Sequence, residues 1–142
     1  MTTEQTIKRD WLNRAFLAEK KLHALEIQCE LDRERAEHIT VIYDKVVGGK
    51  SSYRENHYEN KLIRMLNSKE KYNKYLQEYL DMRCEIEDAI HTIDNPIIES
   101  IMVYRHLGYM SIEHIAEAMN YSDRSIKRKY LEGLDKIDIH FG

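Results

Sequence analysis

Proline and glycine are scarce in this 142-residue chain, with one proline and five glycines. That scarcity excludes a turn-rich all-β fold and leaves long uninterrupted helices as the natural reading. Cysteine is scarcer than glycine. Cys29 and Cys84 stand far apart with no CxxC partner, which excludes a disulfide framework or a zinc ribbon. Both are expected as buried thiols in a reducing compartment. No apolar run is long enough to span a bilayer, and Met1-Thr2-Thr3-Glu4-Gln5 leads straight into a charged helix, not a signal peptide. A cytoplasmic protein without a membrane partner is expected. The net charge of −3 excludes a polycation, so any contact with a polyanion must come from a local patch.

Recognisable reaction chemistry is also missing. The seven histidines are scattered, with His23 and His38 on a first helix and His106 and His114 flanking a later turn. There is no HExxH and no Cys/His cluster at metal spacing. Gly48-Gly49 lacks the Lys-Ser/Thr context of a phosphate loop. Glu85, Glu87 and Asp88 lie on a helix with nothing to mark an acid/base pair. No catalytic residue, metal or cofactor is expected, and the chain does not read as an enzyme.

What is present is helical periodicity. From Thr6 to about Asp44 a heptad-like stripe runs through Trp11, Ala15, Ala18, Leu22, Leu25, Cys29, Ala36, Ile39 and Tyr43, interrupted at Asp32. Gly48-Gly49 and Ser51-Ser52 break it within a loop from Lys45 to Asn56. A second stripe follows through Tyr58, Leu62, Met65, Tyr72, Leu76, Tyr79, Ile86, Ile90 and Ile93. Two stripes of similar length with a short connection predict an antiparallel helical hairpin over residues 1–93. A lone hairpin buries little area, so it is expected to dimerise or to meet another partner surface. Tyr72, Tyr75 and Tyr79 read as packing anchors, and Lys69, Lys71 and Lys74 as a solvated face.

Residues 94–142 read as a second domain of three shorter helices. Asp94 or Asn95 caps the first, Pro96 occupies its opening position, and Ile97, Ile98, Ile101, Met102, Tyr104 and Leu107 form its buried face. Gly108 is expected to end it at positive φ. Ser111 caps the next helix, with Glu113 in its first turn and Ile112, Ile115, Ala116 and Met119 inward. Asn120-Tyr121 makes the turn, since Asn tolerates the left-handed conformation. Ala116 allows a close crossing, and Tyr121 and Ile126 are expected to close the small core.

Ser122 caps the last helix. At about 100° per residue, Ile126, Tyr130, Leu134 and Ile137 share one side. Arg124, Ser125 and Arg128 fall opposite, with Lys127 and Lys129 on the flanks. Glu132 and Asp135 return to the outer face lower down, so only the first two turns suit a polyanion. This is the layout of a helix-turn-helix whose second helix enters a DNA major groove, with base-edge donors in front and phosphate-binding ammonium groups beside them. Double-stranded DNA is the expected partner, through Ser122, Asp123, Arg124, Ser125, Lys127, Arg128 and Lys129. The plainer alternative is a solvated basic face on a bundle helix.

The segments LNRAFLAEKKLHALEIQ (Leu12 to Gln28), the Gly/Ser loop, and IMVYRHLGYMSIEHIAEAMNYSDRSIKR resemble small phage and prophage proteins of Gram-positive bacteria. These are sigma-70 region 4-like transcription regulators of the ArpU/RinA late-operon type. The resemblance implies an all-α fold and a late-gene activator in a bacterial host. It also implies promoter −35 recognition through Asp123, Arg124, Ser125, Lys127 and Arg128, and a contact with host RNA polymerase. No module that would melt a −10 element is present, so recruitment of polymerase is implied and complete sigma activity is not. Asn120 stands where the family commonly has glycine, and Lys129 where an apolar residue packs. Two other roles fit the same pattern: the DNA-recognition small subunit of a packaging terminase, and a protein-interaction module that binds no DNA.

Overall fold

The computed structural model describes the backbone of residues 1–45 and 52–139 and the side chains of residues 1–38 and 59–139. Every regular element among them is helical: α1 (Thr3–Leu12), α2 (Arg14–Lys45), α3 (Ser52–Ile90), α4 (Pro96–His106), α5 (Ile112–Met119) and α6 (Asp123–Lys136). The expected all-α class is observed. The first stripe, however, spans two helices. Asn13 separates α1 from α2 with near-helical angles, φ −73° and ψ −6°. No glycine or proline marks that break, so the heptad count runs through it. The loop ends earlier than expected, because Tyr53 to Asn56 already belong to α3. Ile39, Tyr43, Gly48, Gly49, Ser51 and Tyr58 lie outside the described side chains.

The chain divides into two compact units, 1–19 with 79–142, and 20–78. The boundary drawn from the sequence at residue 93 had placed 1–19 and 79–93 with the long helices. Packing groups them with α4, α5 and α6 because their apolar residues enter the same core. Leu12, Ala15, Ile86, Ile90 and Ile93 share that core with Ile98, Ile101, Met102, Ile115, Ile126, Leu134 and Ile137. Each fully buried Ile or Leu there contributes roughly 1.5–3 kcal/mol relative to exposure.

Polar contacts also hold α1 on α6. The Gln5 amide donates to the Asp135 carboxylate at 2.9 Å, and the Lys8 ammonium donates to the Ile137 carbonyl at 3.0 Å. Lys8 thereby serves a helix C-terminus, where carbonyls are short of donors. Thr2 and Gln5 form a reciprocal capping box that starts α1.

In the other unit, contacts pair rising numbers on α2 with falling numbers on α3. The Lys21 ammonium lies 4.5 Å from the centroid of the Tyr75 ring, and the Ser68 hydroxyl donates to the Asp32 carboxylate. The two helices therefore run in opposite directions there. Asp32, which interrupts the apolar stripe, is used by that hydrogen bond. Ile27, Leu31, Ile63 and Leu66 remain exposed in this unit. Tyr72, Tyr75 and Tyr79 are half-buried, and Lys69, Lys71 and Lys74 are exposed. Both cysteines are free, but neither is buried as expected: Cys29 is half-buried and Cys84 is exposed. Desolvation, then Asp32, raises the Cys29 thiol above its ordinary value.

Two details of α4 differ from expectation. Its buried face carries Ile98, Ile101, Met102 and His106, while Ile97 and Tyr104 are exposed. The observed face is turned by about a quarter of a circle from the expected one, because Ile97 and Tyr104 point outward and His106 points inward. The left-handed residue after α4 is Tyr109, at φ 56°, and not Gly108. Gly108 is required for another reason: a Cβ there would lie 2.9 Å from the Tyr104 carbonyl oxygen.

Candidate functional site

The candidate site is the first half of α6 with the turn before it. α5 ends in paired reverse bonds, Tyr121 N–H to the Ala116 carbonyl at 3.0 Å and Asn120 N–H to the Glu117 carbonyl at 3.4 Å. This is a Schellman closure, and it places Asn120 left-handed at φ 57° and ψ 42°. Asn takes that conformation at lower cost than most residues. Ser122 follows in extended conformation and accepts a hydrogen bond from the Ser125 N–H at 3.1 Å. The turn and cap together fix where α6 begins and which side it buries.

The buried side carries Ile126, Tyr130, Gly133 and Leu134. Opposite it, Arg124, Lys127 and Arg128 are exposed, with Ser122 and Asp123 exposed ahead of them. No salt bridge engages these three cations among the described residues; the nearby carboxylate of Glu132 pairs instead with Lys136 at 3.5 Å. Asp123 lies in the first turn, where the helix dipole favours it. Across 123–129 four cations face one carboxylate, so this segment is a local positive patch on an acidic chain.

Two residues of the expected set sit differently. Ser125 is half-buried, with its backbone N–H given to the cap. Lys129 is half-buried, and its ammonium lies 5.6 Å from the centroid of the Tyr121 ring. Tyr121 does not close the core as expected. It is 37% exposed and faces Lys129. That contact restrains Lys129 beside the turn.

Behind the site, three contacts orient α6. Ala116 is 3% exposed in the shared core, where α5 packs on α6. Gly133 lets α4 approach α6 closely, since a Cβ on it would lie 2.9 Å from both Ile98 Cγ2 and Met102 Sδ. A lone glycine inside an amphipathic helix was the available sequence signal for this contact. The third contact is polar: His106 Nε2 lies 3.0 Å from the Tyr130 hydroxyl, with the imidazole 2% exposed. Desolvation, then the neighbouring Arg105 charge, depresses the His106 pKa to about 3. Burial also pushes Tyr130 up to about 12. Both groups are therefore neutral near pH 7 and can share one hydrogen bond without a buried charge.

Among the described residues, no group of His, Cys, Asp and Glu could hold a metal ion, and no helix is long and apolar enough to cross a membrane. The chain matches no protein-family model, no curated protein and no solved structure.

Proposed function

We propose that the chain is a sequence-specific transcription regulator that binds double-stranded DNA through α5 and α6, used as a helix-turn-helix. The observation that carries this reading is the division of α6. Ile126, Tyr130 and Leu134 anchor one side in the core, while Arg124, Lys127 and Arg128 stand exposed on the other. A helix held this way offers its first two turns to a major groove. Guanidinium groups suit base edges there, and ammonium groups suit the flanking phosphates. The acidic residues Glu132 and Asp135 lower on α6 limit contact to its N-terminal half. Late phage gene activation, with α6 addressing a promoter element and another surface recruiting polymerase, is the biological role that the family resemblance favours.

In this account the antiparallel parts of α2 and α3 serve assembly. The motive is the exposure of Ile27, Leu31, Ile63 and Leu66 in the 20–78 unit. Exposed large apolar side chains on two helices suit a second copy of the chain, and a dimer would read two half-sites. Light scattering tests this part: a dimer is expected, and a monomer at micromolar concentration would contradict it.

The experiment that tests DNA reading is selection from a random duplex pool at physiological salt. Enrichment of one sequence class is expected, bound far more tightly than scrambled duplex. Recovery of unenriched DNA, or of none, would overturn the proposal.

A further inference from the structure

A cleft of about 340 Å³ opens beside the break between α1 and α2, lined by Asp10, Asn13, Phe16, Leu17, Arg105 and Tyr109. All six belong to the unit formed by 1–19 and 79–142. Its volume is at the small end of the range for ligand clefts. Its apolar lining is left open: Phe16 is 37% exposed and Leu17 is 64% exposed.

The polar lining is held in place. Arg105 Nη1 donates to the Met110 carbonyl at 2.8 Å, which orients the guanidinium and leaves its other N–H groups available. No carboxylate pairs with Arg105 among the described residues, although it is half-buried. A partly desolvated guanidinium without a counter-ion favours an anionic ligand, and its planar fork matches a carboxylate. Asp10 is the one carboxylate of the lining, and its ion pair is with Arg9 at 3.3 Å, so it leaves Arg105 without a direct partner while its own negative charge stays at the cleft.

Tyr109 gives the cleft a rigid wall. Its left-handed backbone, φ 56°, is costly for a bulky residue. The side chain offsets that cost. Its hydroxyl bonds the Tyr79 hydroxyl at 2.8 Å and accepts from Arg83 Nη1 at 3.1 Å. Its ring packs tilted on Phe16, with centroids 5.7 Å apart. Strain of this kind, over-determined by surrounding contacts, is concentrated at ligand walls.

We propose that this cleft binds a small organic monocarboxylate with an apolar body. The carboxylate sits on the free N–H groups of Arg105, and the body lies against Phe16, Leu17 and Tyr109. Asp10 at the same cleft repels a second acidic group, so a dicarboxylate of equal body is a poorer ligand.

The test is a titration of the isotope-labelled full chain with 3-phenylpropionate, followed by amide and Arg Nε–H chemical shifts. Saturable shifts are expected at Phe16, Leu17, Arg105 and Tyr109, with a midpoint on the order of 1 mM for so small a ligand. The neutral 3-phenylpropanamide and the dianion benzylmalonate are each expected to bind about tenfold or more weakly. Arg105→Gln is expected to weaken 3-phenylpropionate by roughly tenfold or more. That variant also gives up the bond to Met110, so Leu17→Asp, at a mostly exposed position, provides the second measurement. It places a carboxylate beside the apolar wall and is expected to weaken binding to a similar extent while circular dichroism stays unchanged. Absence of saturable shifts, equal binding of acid and amide, or undiminished binding by Leu17→Asp would overturn the proposal.

Discussion

Acid will loosen this protein through His106. The imidazole is 2% exposed and 3.0 Å from the Tyr130 hydroxyl, and its folded-state pKa is about 3 against an ordinary 6.5. Between those values the unfolded chain takes up a proton that the folded chain refuses. Stability from this group is therefore fully present above pH 6.5 and falls as pH drops toward 3. Each pH unit in that window costs at most about 1.4 kcal/mol. From pH 6.5 to 4.5 the loss is about 2–3 kcal/mol, a large fraction of the roughly 5–15 kcal/mol typical of a folded domain. The assay is urea unfolding by circular dichroism at several pH values between 7 and 4.5. His106→Gln keeps a side chain of similar polarity but cannot titrate. It is expected to be less stable than the parent at pH 7 and to show a much flatter pH dependence over the same window. Equal slopes for parent and variant would refute the reasoning, because they would mean that His106 protonates in place.

Further outcomes follow from single contacts. Gly133→Val puts branched carbon where a Cβ would already lie 2.9 Å from Ile98 Cγ2 and Met102 Sδ, so a loss of about 1–3 kcal/mol is expected in thermal unfolding. Unchanged stability would mean that α4 and α6 can move apart freely. Asn120→Ala places a Cβ-bearing residue without Asn's local hydrogen bonding at φ 57°, and a cost of about 1 kcal/mol is expected, whereas Asn120→Gly is expected to be close to neutral. Equal effects of the two would show that the turn does not need that conformation. His91 bonds Glu99 at 2.7 Å, with Glu87 at 3.6 Å, and these contacts raise its pKa. Its small stabilisation is present below pH 6.5 and fades as pH rises through the raised value, opposite in sign to His106. Proton chemical shifts of the His91 ring should titrate above 6.5, and a midpoint at or below 6.5 would contradict the pair.

Much of the site was legible because it depends on local chemistry. The caps at Asn95, Ser111 and Ser122, the left-handed Asn120, and the face of Ile126, Tyr130, Leu134 and Ile137 follow from side-chain hydrogen bonding and helical spacing. What escaped depends on tertiary partners. His106 enters the core only because Tyr130 meets it from another helix. Tyr109 accepts a left-handed backbone because Phe16, Tyr79 and Arg83 hold its side chain. Tyr121 turns outward, where Lys129 meets its ring from the next helix. The break at Asn13 leaves the apolar stripe intact, so periodicity could not reveal it. Gln5 and Lys8 find partners 130 and 129 residues away, beyond the reach of any local pattern.

Whether α6 reads DNA is decided by fluorescence anisotropy with the Arg128→Ala variant. A duplex selected by the parent protein and a scrambled duplex are compared across a salt series. Arg128 is exposed one turn after Arg124, and a bidentate guanine contact is worth about 1–3 kcal/mol of discrimination. The variant should therefore lose roughly five- to 150-fold in the ratio of selected to scrambled affinity. Lys127→Ala serves as the internal comparison. It should weaken both duplexes alike and reduce the salt slope by about one. An unchanged ratio for Arg128→Ala, with Lys127→Ala also silent, would contradict the account.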